Sequence, residues 1–193
     1  SQEHAINILH HQKNMGVGGA TITGFNEALN HSCDLIIKLD ADGQHPPHYL
    51  KELILYSLSL PKYEFNLIKG TRYRLQKRKR NTPFDRRIGT FFLDPIARSA
   101  LAYQGLTDVT NGYLVIDSTS LQYLLSPYIG PKLQKGYLFE SSILARCSEL
   151  GFRIHEFCML SHYGESWRSS MNAISMILPL LDFWIKAALR RLW

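Results

Sequence analysis

Asp34 to Leu39 (DLIIKL) constrains this chain more than any other stretch: it is apolar enough to be buried, too short for a helix, and runs straight into Asp40-Ala41-Asp42-Gly43. A buried strand meets all three conditions. The rest of the chain must supply neighbours for such a strand, and its pattern does. Ala5–His10 reads as a short strand. Gly16, Gly18 and Gly19 form a turn that opens a helix from Ala20 to about Asn30, with Ile22, Phe25, Ala28 and Leu29 at helical spacing. Pro46 and Pro47 start a helix running from Pro47 to Leu60. Asn66–Lys69 is a strand, Ile88 to about Tyr103 a helix, Gly112–Ile116 a strand and Ser118–Leu125 a helix. Phe139–Leu150 is a helix stopped at Gly151, and Arg153–Met159 is a last strand. Strand and helix alternate, which predicts an α/β fold with a mainly parallel sheet flanked by helices.

Composition matters mainly for partners. The formal net charge is +6, with 45% hydrophobic and 20% charged residues, an ordinary globular balance with a preference for anionic partners. Three cysteines, Cys33, Cys147 and Cys158, lie far apart with no zinc-like spacing. They read as small apolar core residues in a reducing, cytoplasmic setting. No leader and no uninterrupted apolar run of about 20 residues is visible.

Open α/β sheets bind ligands at the carboxyl ends of their strands. Asp40 and Asp42 stand at such an end, and two carboxylates one residue apart can hold a hard divalent cation, Mg²⁺ or Mn²⁺. Gln44 offers a further oxygen. A polar turn closing a strand accounts for the same residues, since Asp and Gly are common in turns. Downstream, Arg72, Arg74, Lys77, Arg78, Lys79, Arg80, Arg86 and Arg87 form a basic span. It is either a solvated loop or a phosphate-binding one; the sparse aromatics argue against nucleic acid.

Lys38-Leu39-Asp40-Ala41-Asp42-Gly43-Gln44-His45-Pro46-Pro47 resembles the DxD segment of family 2 glycosyltransferases of the GT-A fold, especially the dolichyl-phosphate mannose synthase branch. Further matches follow in that family's order. They are Asn14-Met15-Gly16-Val17-Gly18-Gly19-Ala20, Lys69-Gly70-Thr71-Arg72-Tyr73, Asp108-Val109-Thr110-Asn111-Gly112-Tyr113, Gly136-Tyr137-Leu138-Phe139-Glu140, Gly151-Phe152-Arg153-Ile154 and Tyr163-Gly164-Glu165-Ser166. The family's two opening strands have no counterpart here. The resemblance therefore implies a GT-A nucleotide-diphospho-sugar transferase fold, N-terminally incomplete, with a catalytic domain over 1–168 and an amphipathic helical segment over 169–193.

What the resemblance implies is inverting, metal-dependent transfer of a sugar from a UDP- or GDP-sugar to a polyprenyl phosphate or lipid-linked glycan. Asn14, Gly16, Asp40 and Asp42 would meet the donor, and Asp40, Asp42 and Gln44 the metal. Arg72, Arg86 and Arg87 would face the acceptor phosphate. A hydroxyl acceptor needs a base instead, and Asp108, with Glu140 behind it, is the candidate. Asp108 as a cap, or as a residue positioning arginines, and Glu140 as a first-turn acid are the plainer alternatives. The family often has an arginine near Ser161-His162 and a lysine where Trp167 stands; both are absent. His45 reads as a structural turn residue. The tail carries a broad apolar face with Lys186, Arg190, Arg191 and Trp193 at its end. It suits either peripheral contact with a membrane or packing on the core. A truncated, non-catalytic domain is the rival reading.

Overall fold

The computed structural model describes residues 6–43, 45–72, 95–103, 105–128, 132–160 and 173–191. Its elements are α1 (Gly16–Asn30), β1 (Leu35–Lys38), a 3-10 turn (Pro47–Tyr49) leading into α2 (Leu50–Ser59), β2 (Asn66–Thr71) and the helical residues 95–101, here α3. β3 (Leu114–Asp117), α4 (Ser118–Leu125), α5 (Phe139–Glu149), β4 (Arg153–Cys158) and α6 (Ala173–Arg191) complete them. The strands form one four-stranded sheet in the order β1-β3-β2-β4. β2 and β4 pair in parallel, while β3 pairs antiparallel with both β1 and β2. β1, β2 and β4 therefore share a direction, and β3 runs against them from the middle of the sheet.

Strand residues alternate between two faces, and the two faces have separate cores. Ile36, Leu67, Leu114, Ile116 and Ile154 pack with Phe25 of α1, Leu121 and Leu124 of α4, Ile143 and Leu144 of α5 and Trp184 of α6. Ile68, Tyr113 and Val115 face the other way, onto Leu53 of α2 and Met159. Each fully buried large side chain of this kind contributes roughly 1.5–3 kcal/mol. α4 begins where β3 ends, because the Asp117 side chain accepts from Ser120 N at 2.8 Å as an N-cap.

Three expectations are corrected. The sheet is mixed rather than mainly parallel: two of its three pairings are antiparallel, because β3 enters between β1 and β2 and runs against both. Residues 6–10 form no strand: no strand among the described residues pairs with them, and Ile6 and Ile8 are exposed. A strand without a ladder partner leaves its amides to water. The first helix starts at Gly16 rather than Ala20. Gly18 is a packing residue inside its first turns, where a Cβ would lie 2.7 Å from the Phe139 ring.

Candidate functional site

All four strands bring their functional residues to one end of the sheet. The register makes Lys38 of β1, Leu114 of β3, Lys69 of β2 and Glu156 of β4 neighbours in a row. Cross-strand partners point to the same face, here the α5 side, so this row replaces the apolar floor with charge where the strands end. β1 then passes into Asp40, β2 into Arg72, and β3 receives the chain from Asp108–Tyr113.

At the end of β1, the Lys38 ammonium donates to Asp40 Oδ1 at 2.6 Å and to Glu140 Oε1, in the first turn of α5, at 3.1 Å. Burial works against this cation, but the Glu140 and Asp40 carboxylates outweigh it and hold its pKa above the usual lysine value. Residues 41–43 form a turn, with Gly43 at φ +80 and Asp42 exposed. The turn is closed by His45. Its Nδ1 accepts the Asp40 backbone N–H at 3.0 Å, and its ring lies 5.3 Å from that of Tyr113. An accepting Nδ1 places the ring proton on Nε2. Burial is the first cause lowering the His45 pKa, with Lys38 and Arg72 adding to it against Asp40 and Asp42. The structural-turn reading of His45 holds.

At the end of β2, Arg72 lies along Asp108. Nε donates to Oδ2 at 2.7 Å, Nη2 to Oδ1 at 2.8 Å, and the Arg72 backbone N to Oδ2 at 3.1 Å. Nη2 also reaches Thr110 Oγ1 at 3.1 Å. Asp108 is 0% exposed, and burial alone would raise its carboxyl pKa; Arg72, helped by Lys69, overrides that and pulls it to about 2. Lys69, also 0% exposed, donates to the carbonyls of Asp108 and Asn111. Glu156 accepts from Thr107 N at 2.7 Å, Thr107 Oγ1 at 2.8 Å and Asp108 N at 3.2 Å.

Segment 108–113 joins the two halves. A Cβ on Gly112 would lie 2.5 Å from both Asp40 Oδ2 and Lys38 Nζ, so a side chain here would push the ends of Asp40 and Lys38 aside.

The structure thus brings together Asp40, Asp42, Arg72, Asp108 and Glu140. Asn14 is used locally, accepting from Gly16 N at 2.8 Å, and Gly16 packs on Lys135. Together with Gly18 on Phe139, that segment seats the start of α5, which carries Glu140. Gln44, Arg86, Arg87 and the Tyr163–Ser166 stretch lie outside the described residues, as does the basic span 74–87. Sequence reasoning missed Lys38, Lys69 and Glu156 as site residues. Their signal was a charge at a strand position whose alternation calls for an apolar side chain.

No cluster of three or more His, Cys, Asp or Glu able to hold a metal occurs among the described residues. Asp40 and Asp42 alone fit a hard cation that keeps waters and takes its remaining oxygens from a phosphate-bearing substrate, the usual habit of Mg²⁺.

Residues 1–121 match the family described as Glycosyl transferase family 2. The chain is 33% identical over 110 residues to UDP-N-acetylglucosamine--dolichyl-phosphate N-acetylglucosaminyltransferase of Methanococcus voltae, covering 57% of this chain and 39% of that protein. It is 29% identical over 156 residues to undecaprenyl-phosphate mannosyltransferase of Micrococcus luteus, covering 81% of this chain and 60% of that one. It is 25% identical over 189 residues to polyprenol monophosphomannose synthase of Mycolicibacterium smegmatis, with 96% and 68% covered. The chain thus spans between about two fifths and two thirds of the length of these relatives.

Proposed function

The chain belongs to glycosyl transferase family 2, and from that membership and the site geometry we propose that it moves a sugar, with inversion, from a nucleotide-diphospho-sugar to a polyprenyl phosphate. The observation that carries the choice of acceptor is the state of Asp108. An acceptor hydroxyl needs a base with a free carboxylate oxygen and access to the substrate. Asp108 has neither, being fully buried with both oxygens on Arg72. Glu140, the second candidate, is held by Lys38. An acceptor phosphate is already ionised and needs no base. It needs a cation held in place, and Arg72, oriented by Asp108 and Thr110, is such a cation. Two similar proteins are named for a dolichyl or undecaprenyl phosphate and a third for a polyprenol monophosphomannose, which agrees.

In this reading an acceptor phosphate oxygen attacks the anomeric carbon from the face opposite the leaving group. The new C–O bond forms as the bond to the nucleoside diphosphate breaks. Asp40 and Asp42, with Gln44, would hold Mg²⁺ or Mn²⁺. When bound, that ion neutralises the charge gathering on the departing diphosphate. His45 fixes the Asp40 backbone, and Arg72, with Arg86 and Arg87, positions the phosphate.

No helix among the described residues is long and apolar enough to cross a membrane. α6 buries Phe183, Trp184 and Ala187 in the main core, buries Leu180 as well, and leaves Leu178, Ile185 and Leu189 exposed beside Lys186 and Arg190. That outer face suits peripheral contact with the cytoplasmic membrane surface, where a lipid-borne acceptor would be met.

Calorimetry with UDP and GDP, with and without Mn²⁺, beside Asp42→Asn, tests the donor site. Metal-dependent binding of one nucleotide, lost in the variant, is expected. Transfer from the matching nucleotide-sugar to polyprenyl phosphate, but not to the unphosphorylated polyprenol, tests the acceptor. Equal transfer to both would overturn the phosphate reading.

A further inference from the structure

The donor-site reading leaves one charged group without a task. Lys38 stands at the end of β1 with its side chain 9% exposed, bonded to Asp40 on one side and to Glu140, 11% exposed, on the other. Its place is tightly bounded, since the Gly112 backbone closes a third side. An ammonium has three donors and no acceptor. Here two are committed to carboxylates, one from Asp40, two residues along the chain, and one from Glu140 in α5. The shorter bond, 2.6 Å, goes to Asp40 Oδ1. A divalent cation approaching Asp40, whose side chain is 34% exposed, therefore meets an oxygen already occupied by a positive charge, in a direct contact of 2.6 Å that leaves no room for salt between the two groups.

We propose that Lys38 is a built-in cation that competes with the divalent metal for Asp40, and that Glu140 is the carboxylate that keeps Lys38 paired when the metal takes Asp40. This inference rests on the donor-site reading above. The pairing with Glu140 is what makes the exchange feasible. A buried ammonium deprived of its sole partner is costly, whereas one with a second carboxylate at hydrogen-bond distance is not stranded. The site would thus hold its metal weakly until a donor diphosphate adds its own oxygens, so that cation and nucleotide-sugar bind together rather than the cation alone.

The test is binding of Mn²⁺ alone to the full chain, read as free Mn²⁺ by electron paramagnetic resonance, for the native protein, Lys38→Met, Glu140→Gln and Asp42→Asn. Removing the competitor should tighten Mn²⁺ binding by about ten-fold. Glu140→Gln leaves Lys38 wholly on Asp40 and should weaken binding several-fold. A merely structural role for the pair would weaken both variants. The gain in Lys38→Met should persist at high ionic strength, since the contact is direct and shorter than the screening length; a gain that vanishes there would assign the effect to charges acting through solvent and overturn the proposal. Unchanged or weaker binding by Lys38→Met would also overturn it. If Lys38→Met fails to fold, Lys38→Gln, whose amide still donates to Glu140, takes its place with the same expected direction. Native Mn²⁺ binding that Asp42→Asn does not reduce would overturn the donor-site reading itself, whatever the order of the Lys38 and Glu140 variants.

Discussion

Asp108→Asn separates a positioning carboxylate from a catalytic one. In the native protein three N–H groups of Arg72 converge on Asp108: the backbone N at 3.1 Å, Nε at 2.7 Å and Nη2 at 2.8 Å. An asparagine amide has one oxygen, so it can keep the pair of contacts on one side only, and its NH₂ then faces a guanidinium N–H. Arg72 is 7% exposed, and its charge would lose the Asp108 carboxylate. Breaking a buried ion pair from one side costs about 3–5 kcal/mol. The pull on the Asp108 pKa from 3.8 to about 2 gives an independent figure of roughly 2 kcal/mol. We expect a loss of about 3 kcal/mol, seen as a fall in melting temperature of roughly 6–12 °C for a chain of this size. Arg72→Met should cost a similar amount. The double variant should cost well under the sum, with a coupling of at least about 2 kcal/mol in urea denaturation. The pH dependence has a definite sign. A carboxylate whose folded pKa is depressed stabilises above its unfolded value, so the gap between native and Asp108→Asn should be full above pH 3.8 and close as pH falls through about 2. An Asp108→Asn protein as stable as the native one but unable to transfer sugar would refute the positioning role and restore Asp108 as a base.

Gly112→Ala would place a methyl 2.5 Å from Asp40 and Lys38, so Mn²⁺-dependent nucleotide binding should fall more than ten-fold by calorimetry while the far-ultraviolet circular dichroism stays native. His45 has its pKa lowered by burial, so in metal-free buffer its share of stability is present above pH 6.5 and lost as pH falls below it. His45→Asn, which can still accept from Asp40 N, should flatten that slope in urea titrations and leave the part due to His155, whose pKa is also lowered by burial. Trp184→Ala opens the core under α6 at a fully buried site and should cost about 3–5 kcal/mol in the same assay. Cys147 is buried with its thiol pKa pushed far up, so a thiolate-selective reagent should label it only at the rate of global unfolding.

Much of the architecture was legible because it is local. α4 was readable to its ends, Ser118 to Leu125, and Gly151 marked the stop of α5. β1 was readable as a short apolar run and β2 and β4 as strands, and the placement of Asp40 and Arg72 at strand ends followed. The direction of β3 was not legible, because Leu114–Asp117 has the same composition whichever way it runs; its partners decide. The strand expected near Ala5–His10 failed for the matching reason, as alternation without a neighbour does not make a ladder. The pairing of Arg72 with Asp108, and of Lys38 with Glu140, spans long stretches of sequence and leaves no local mark. Lys38, Lys69 and Glu156 did leave one. Each breaks an apolar alternation at the same level of the sheet, and such a break in several strands at once points to a site rather than to a surface.

The same row explains why one short segment governs both halves of the site. Lys69 is buried below the sheet's rim and has its ammonium on two carbonyls of segment 108–113, those of Asp108 and Asn111. Glu156 holds the entrance to that segment through the amides of Thr107 and Asp108. The Asn111 side chain holds its exit by accepting from Tyr113 N at 2.9 Å. Thus fixed at both ends, the segment presents a carboxylate to Arg72 on one side and the bare backbone of Gly112 to Asp40 and Lys38 on the other. Reaction between two bound groups depends on their relative placement to within about an ångström. A loop carrying each half separately would let donor and acceptor drift independently. A single braced segment makes their separation a property of the sheet, and therefore substitutions at Lys69 or Glu156, which touch neither proposed substrate, should lower turnover through geometry alone.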